Sequence, residues 1–361
     1  MGTTRKNGRM TSPWPTAGLT ARDDLDASST ALLAQLGDEI PGVSEEPPPG
    51  WTELVDGRGI YLRRTARTAG AGAADTGSAD AWYVHGLAGS SANWTSLAGA
   101  LSSRSTGYLV DLPGHGRSDP PAGGRYSLLF DADLLAVLIR RRSSGPVHLV
   151  ANSMGGVIAT ALAARHPELV ATLTLISPAV PDLRLTRDRG ADPVLALLLL
   201  PGTTRPALRR LGSIGPAARA RGMGALCYGD PTLLSDADYD VAAAELAWRE
   251  RLPWVHRSTI GALRALLRSY FRRAGSFWTD AAAVQVPTLV IWGTRDRLVD
   301  VRLAERTAAA FAQSTLLVLR GVGHTAQMEA PLPTARAIAQ LWAGAGAPCD
   351  GRSGPVATSI P

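Results

Sequence analysis

Short apolar runs, bounded by glycine, proline and polar clusters, recur along the chain from Trp51 onward. Ala81–Val84, Gly107–Asp111, Val147–Val150, Thr172–Ile176, Pro287–Trp292 and Leu316–Leu319 are of strand length and apolar at consecutive positions. That is the pattern of strands covered on both faces. Trp51–Val55 and Gly59–Arg63, separated by a turn at Asp56-Gly57, read as a hairpin. Between the apolar runs lie helical patterns: Trp94–Leu101, Ser127–Arg142, Met154–Arg165, Arg302–Ala312 and Ala335–Trp342. Strand and helix alternating in this way call for a mainly parallel sheet with right-handed crossovers.

The alternation stops between Pro178 and Val286. That stretch reads as helical pieces broken by proline and glycine, and it carries Trp248, Trp254, Tyr270, Phe271, Phe277 and Trp278. Its clearest helix, Ile260–Arg273, puts Leu263, Leu266, Leu267, Tyr270 and Phe271 on one face and Arg264, Arg268 and Arg272 on another. The apolar face reads as a packing surface against the sheet domain; a lipid-contacting surface is the alternative. Residues 1–50 show no strong period. Ala21–Leu36 has a short helical pattern with Asp23, Asp24 and Asp26 in its first turn, and Glu45-Glu46-Pro47-Pro48-Pro49-Gly50 breaks any helix. Ala69–Ser78 is a small-residue loop. The expected organisation is a mobile arm over 1–50, a first core segment over 51–177, an insert over 178–286, a second core segment over 287–343 and a disordered tail over 344–361.

Composition narrows the function classes. The chain has 361 residues, 45% of them apolar, which is enough for a full core, and 38 glycines with 25 prolines fall short of a low-complexity chain. The longest aliphatic run, Val194–Leu200, is far shorter than the ~20 residues that span a bilayer. No apolar segment of the kind found in secretory signals follows the N-terminus, so the expectation is a soluble, cytoplasmic protein without an integral membrane segment. Cys227 and Cys349 are too few for a disulfide framework or an unaided zinc site. The net charge of +6 comes from arginines spread among acids, Lys6 being the single lysine, so nucleic acid is not an expected partner.

The chemistry concentrates at Val147–Val157, where a buried strand runs straight into a helix with Ser153 at the turn. Such a turn lifts a serine Oγ clear of the sheet, and the free N–H groups of the following helix point at the same spot. The flanking positions two residues away must be small; Ala151 and Gly155 are, although Ala151 departs from the usual glycine. A serine nucleophile needs a base, and the base needs an orienting carboxylate. Downstream, the strand Leu289–Trp292 leads to Asp296, and Leu316–Leu319 leads through Gly321 and Gly323 to His324. The catalytic candidates are therefore Ser153, Asp296 and His324, with Asp300 and Asp182 as rival acids. Upstream, Trp82–Ser90 is again strand then glycine-rich loop, and the backbone N–H groups of Leu87 and Met154 are the candidates for an oxyanion hole. His85 reads as a brace for its loop.

Together His85-Gly86, Asp111-Leu112-Pro113-Gly114-His115-Gly116-Arg117-Ser118, Asn152-Ser153-Met154-Gly155-Gly156, Trp292-Gly293-Thr294-Arg295-Asp296 and Gly323-His324 resemble the α/β-hydrolase superfamily over about Trp51–Ala343. The resemblance implies an α/β-hydrolase fold: a mostly parallel eight-stranded sheet flanked by helices, with a helical cap inserted after the sixth strand. It also implies that Asp111–Ser118 is a site-shaping loop with a structural His115. Serine at the elbow sets the chain apart from the epoxide hydrolases and haloalkane dehalogenases of this fold, which use aspartate there. The expected activity is hydrolysis of a carboxylic ester of a small or medium apolar substrate through an acyl-enzyme, with no cofactor and no metal. The alternatives are C–C bond hydrolysis of ring-opened aromatic products, thioester hydrolysis or acyl transfer, and a non-catalytic binding role.

Overall fold

The computed structural model describes residues 46–67, 79–182, 213–272 and 274–346. The pattern over Ala21–Leu36, the loop Ala69–Ser78, the run Val194–Leu200, Lys6, Cys349 and most of the expected arm and tail lie outside these described residues.

Eight strands form one sheet in the order β1-β2-β4-β3-β5-β6-β7-β8. They are β1 Gly50–Val55, β2 Arg58–Arg64, β3 Ala81–Val84, β4 Gly107–Val110, β5 Val147–Asn152, β6 Val170–Ile176, β7 Thr288–Gly293 and β8 Ser314–Leu319. β1 and β2 pair antiparallel, as do β2 and β4, and every pair from β4 across to β8 is parallel. The hairpin joining β1 to β2 turns through Asp56 and Gly57, both at positive φ (49° and 76°). Two such residues are what a type I′ turn requires, and its twist matches that of the flanking strands.

The consecutive apolar residues of β3 to β7 divide between two cores, one per face of the sheet. Trp82, Val84, Leu149, Ala151, Leu173, Leu175, Val290 and Trp292 pack with helices α2 (Leu128–Arg142) and α3 (Met154–Arg165). Tyr83, Val150, Ile176 and Ile291 pack on the opposite face with α1 (Thr95–Ala100) and the C-terminal helix Pro331–Gly346. Period-2 geometry sends neighbours to opposite faces, and two helical layers are what make both faces apolar. α2 starts where Ser127 accepts the Phe130 N–H and ends on Arg140, Arg141 and Arg142, cations placed at the negative end of the helix.

Between β6 and β7 the described residues form four helices: α4 (Pro216–Cys227), α5 (Asp236–Glu250), α6 (Val255–Ser269) and α7 (Phe277–Ala283). After β7 come a 3-10 turn Val301–Leu303 running into α8 (Ala304–Ala309), then β8, α9 (Ala326–Glu329) and α10, the Pro331–Gly346 helix already mentioned.

Three helical boundaries differ from the sequence pattern. The Ile260–Arg273 pattern is the helix Val255–Ser269; its regular period ends before Phe271, which is 72% exposed instead of sharing the packed face. The buried residues of α6 are Ser258, Ile260, Ala262, Ala265, Leu266 and Ser269. The Arg302–Ala312 pattern gives an α-helix over Ala304–Ala309 only, because the chain turns at Ala310 and Phe311 to enter β8. The Ala335–Trp342 pattern is the middle of a longer helix that begins at Pro331, a residue whose fixed φ suits a first helical turn.

Candidate active site

Ser153 joins β5 to α3 at φ 55° and ψ −120°, a conformation that a residue with a Cβ adopts only under constraint. Such a residue costs about 1–3 kcal/mol, supplied by the surrounding structure. Here the constraint is backbone pairing: the Ser153 N–H donates to Ile176 O (3.0 Å), and the Ser153 carbonyl accepts from Gly156 N (2.9 Å) and Ala179 N (3.0 Å). The elbow is pressed against the end of β3. A Cβ on Gly155 would collide with the carbonyl oxygens of Val84 and His85, and one on Gly86 would sit 2.9 Å from Ser153 Cβ. Ala151 is fully buried, so a methyl group is accommodated two residues before the serine.

Leu87, half-buried, and Met154, buried as the first residue of α3, belong to these two backbones. The structure thus brings the β3 loop and the helix start against each other on either side of Ser153. His85 holds its loop: Nδ1–H donates to Gly86 O (2.7 Å) and Nε2 accepts from Leu112 N (3.0 Å). Burial lowers the His85 pKa to about 4, and burial together with His85 lowers that of His115 to about 3, so both rings are neutral at pH 7. His115 donates through Nδ1 to Pro113 O (3.1 Å). In the same loop the buried Asp111 carboxylate accepts the N–H groups of Ser91 (2.6 Å) and Arg117 (2.8 Å), which shapes the chain between them.

The loops leaving β7 and β8 are zipped together. Thr294 N donates to Leu319 O (3.0 Å), Arg295 N to Val322 O (2.9 Å) and Gly321 N to Thr294 Oγ1 (2.9 Å). This pairing brings Asp296 and His324 into contact: Nδ1 of His324 lies 2.9 Å from Oδ2 of Asp296. Oδ1 of the same carboxylate accepts the N–H groups of Leu298 (2.8 Å) and Val299 (2.9 Å), which fixes its plane. A carboxylate only accepts, so the neutral tautomer that fits this contact has its proton on Nδ1 and its lone pair on Nε2. The rival acids are engaged elsewhere. Asp182 pairs with Arg302, and Asp300 both accepts the Arg302 N–H (3.0 Å) and faces the same guanidinium at 3.3 Å.

Two residues important to this geometry have no role readable from the sequence pattern, although Asn152 stands in the elbow motif. Asn152 Nδ2 donates to Ile176 O (3.0 Å) and to His324 O (3.1 Å), linking the residue before the serine to the histidine across 172 positions of sequence. An amide ending an otherwise apolar buried strand is the signal that would have marked it. Glu329 accepts three backbone N–H groups, from Gly229 (2.9 Å), Asp230 (2.9 Å) and Gly323 (2.7 Å). It thereby ties the end of α4 to the histidine loop, where His324 N also donates to Cys227 O (2.7 Å). The Cys227 thiol is free, and burial, with the charge of Asp296, pushes its pKa up to about 12. Among the described residues no group of three His, Cys, Asp or Glu side chains is placed to hold a metal ion, and no helix is long and apolar enough to cross a membrane.

The comparisons with known proteins agree with this architecture. The chain is 31% identical over 275 residues to an uncharacterised protein of Mycobacterium tuberculosis, covering 73% of each chain. It is 25% identical over 280 residues to the monoacylglycerol lipase ABHD6 of Mus musculus, covering 72% of this chain and 74% of the lipase. A haloalkane dehalogenase from Bradyrhizobium elkani superposes with a TM-score of 0.67 at 22% identity, over 82% of this chain and 98% of that one, a likeness of fold. The model of the alpha/beta hydrolase family matches residues 83–337, and with the eight-stranded sheet and its strand-end site the chain belongs to that family of hydrolases.

Proposed function

We propose that the chain is a serine hydrolase that cleaves a carboxylic ester of a small or medium apolar substrate through an acyl-enzyme. The observation that carries the reading is the 2.9 Å contact of His324 Nδ1 with the doubly anchored Asp296 carboxylate, on a loop tied by Asn152 to the strained elbow of Ser153. In this reading His324 takes the proton of Ser153 as Oγ attacks the ester carbonyl. The tetrahedral oxyanion is received by the backbone N–H groups of Leu87 and Met154. His324 then gives its proton to the leaving alcohol and activates the water that releases the acid, while Asp296 holds the imidazole tautomer throughout. These steps need neither a cofactor nor a metal.

The insert over 178–286 is proposed as a cap over this site, with 51–177 and 287–343 as the two parts of one hydrolase core. Hydrogen bonds from α5 to Ala88 O and Ser90 Oγ support that placement. The choice of an acyl ester over other cleavable bonds rests on the likeness to a monoacylglycerol lipase. Ester panels of increasing acyl length, run beside a thioester and a ring-fission product, test the reading. The expected result is fluorophosphonate labelling at Ser153, preferential ester turnover, and loss of both in Ser153→Ala. Retained turnover in Ser153→Ala overturns it, and faster cleavage of the ring-fission product or thioester replaces the ester assignment.

A further inference from the structure

Arg249, in the last turn of α5, reaches out of its own helix toward the loop that follows β3. Its Nη1 donates to Ala88 O (2.9 Å) and its Nη2 to Ser90 Oγ (2.8 Å), while Nε donates to Glu245 Oε1 (3.0 Å) one turn back on α5. The side chain is only 13% exposed, and every edge of the guanidinium fork thus has a partner. Glu245 also faces Arg117 at 3.8 Å, and Arg117 lies 4.6 Å from the ring centroid of Trp248, so α5 meets the core at Arg117 as well as through Arg249.

The loop it grips, braced by His85 at its start, carries a strained turn. Gly89 N donates to Gly86 O (3.1 Å), closing a β-turn with Leu87 and Ala88 at its centre, and Ala88 has a φ of 58°. A positive φ at the second central position is the province of glycine or asparagine; an alanine there favours relaxation to a turn with negative φ. Such relaxation turns over the Leu87–Ala88 peptide and shifts the loop whose preceding peptide carries the Leu87 N–H. Arg249 bonds the carbonyl of the strained residue itself, and through Ser90 it also bonds the residue whose N–H is held by Asn93 Oδ1 (2.7 Å) at the start of the next 3-10 turn.

We infer that Arg249 is a positioning residue: from the insert, it locks the Gly86–Gly89 turn in the strained form that aims the Leu87 amide at the oxyanion. This rests on the hydrolase reading above, and it makes seating of α5 on the core a condition for a complete oxyanion hole. A group that acts only on transition-state stabilisation changes kcat and leaves KM alone.

The test compares Arg249→Met and Arg249→Lys with the parent protein in p-nitrophenyl ester hydrolysis, with fluorophosphonate labelling of Ser153 in the parent as the reference. For Arg249→Met, kcat should fall by about 10- to 100-fold, somewhat less than removal of an oxyanion donor outright, with KM within about twofold. Lysine keeps the charge but not the fork and should recover only part of the loss. Ala88→Gly in either background removes the strain that Arg249 restrains and should restore most of the lost kcat, an effect that general destabilisation would not show. A rise in KM at unchanged kcat, a fully active lysine variant, or no rescue by glycine overturns the inference. If the parent is not labelled at Ser153, the hydrolase reading falls and this one with it; a labelled, active parent beside an unaffected Arg249→Met sinks this inference alone.

Discussion

The rim of the sheet and helices α4 and α5 of the insert are held together by different physics. At the rim, Ser153, the Asp296 loop and the His324 loop are fixed by backbone pairing and by glycines with no room for a Cβ, beneath fully buried strands. In the insert, α4 and α5 pack chiefly on each other and leave Met223, Leu233 and Val241 exposed. Apart from the end of α4, where the Cys227 carbonyl accepts the His324 N–H, they meet the core through charged and polar side chains: Arg249 on the β3 loop, Glu245 facing Arg117, and Glu329 accepting from Gly229 and Asp230. Backbone packing leaves one arrangement available, whereas side-chain hydrogen bonds at a partly exposed boundary each contribute on the order of 1 kcal/mol and can be made and broken separately. The rim should therefore tolerate almost no change, and the outer faces of α4 and α5 a good deal.

The sharpest separation should come from the carboxylates near the site. Asp296→Asn keeps the size of the side chain but removes the charge that holds the His324 tautomer, and kcat for ester hydrolysis should fall by about 10⁴-fold. Asp300→Asn and Asp182→Asn alter the pairing with Arg302, away from His324, and should leave kcat within about threefold in the same steady-state assay. Comparable losses at Asp300 or Asp182 would erase the distinction between the anchored rim acid and its neighbours.

Next in size is Gly155→Ala. The added methyl meets the backbone carbonyls of Val84 and His85, which cannot rotate away as a side chain would. Overpacking of this kind costs about 1–3 kcal/mol, and here it also displaces the elbow. Urea unfolding should show a stability loss of that size, accompanied by loss of ester turnover. A variant as stable and active as the parent would mean that β3 and α3 are less tightly apposed than they are described.

What could be read from the chain follows the same division. The strands were legible because burial on both faces makes their residues apolar without interruption, and Ser153, Asp296 and His324 stood out because each follows such a run. The helix ends were less so. The apolar period around α6 continues in sequence to Phe271 although the helix stops at Ser269, and the alanines after α8 keep a helical composition while the chain turns toward β8. Least legible were Asn152, Arg249 and Glu329. Most of their acceptors and donors are backbone groups, some of them 100 to 172 positions away, and a peptide N–H or C=O leaves no mark on residue identity. Only the folded loops reveal them.

Titration offers a gentler probe, since the strongly shifted groups at the rim and beneath it are buried. His85 and His115, with pKa values of about 4 and about 3, lie well below the ordinary value of 6.5. Their neutral forms are favoured in the folded chain, so their stabilising contribution is complete above pH 6.5 and is lost as pH falls toward those values. Asp131 has the opposite sign: desolvation raises it from 3.8 to about 8, so the folded chain prefers the protonated acid. Its contribution is most favourable below pH 3.8 and declines as pH rises toward 8. Melting curves should show Asp131→Asn gaining most over the parent near pH 9 and least near pH 4, and His115→Asn flattening the acid limb. An Asp131→Asn difference that stays constant with pH would mean that the carboxyl is solvated or paired.

The smallest expected effect lies in the insert and works in the opposite direction from Gly155. Gly222 is interior to α4, and a Cβ built there has no atom within 4 Å. Alanine in a helix interior loses less conformational entropy on folding than glycine, so Gly222→Ala should stabilise by about 0.4–1 kcal/mol with unchanged ester turnover. The same substitution, glycine to alanine at the start of one helix and in the middle of another, then changes sign according to what surrounds it. Should Gly222→Ala instead lower the urea midpoint, α4 would be packed against something on that face, and the contrast between a crowded rim and a loosely seated insert would have to be redrawn around it.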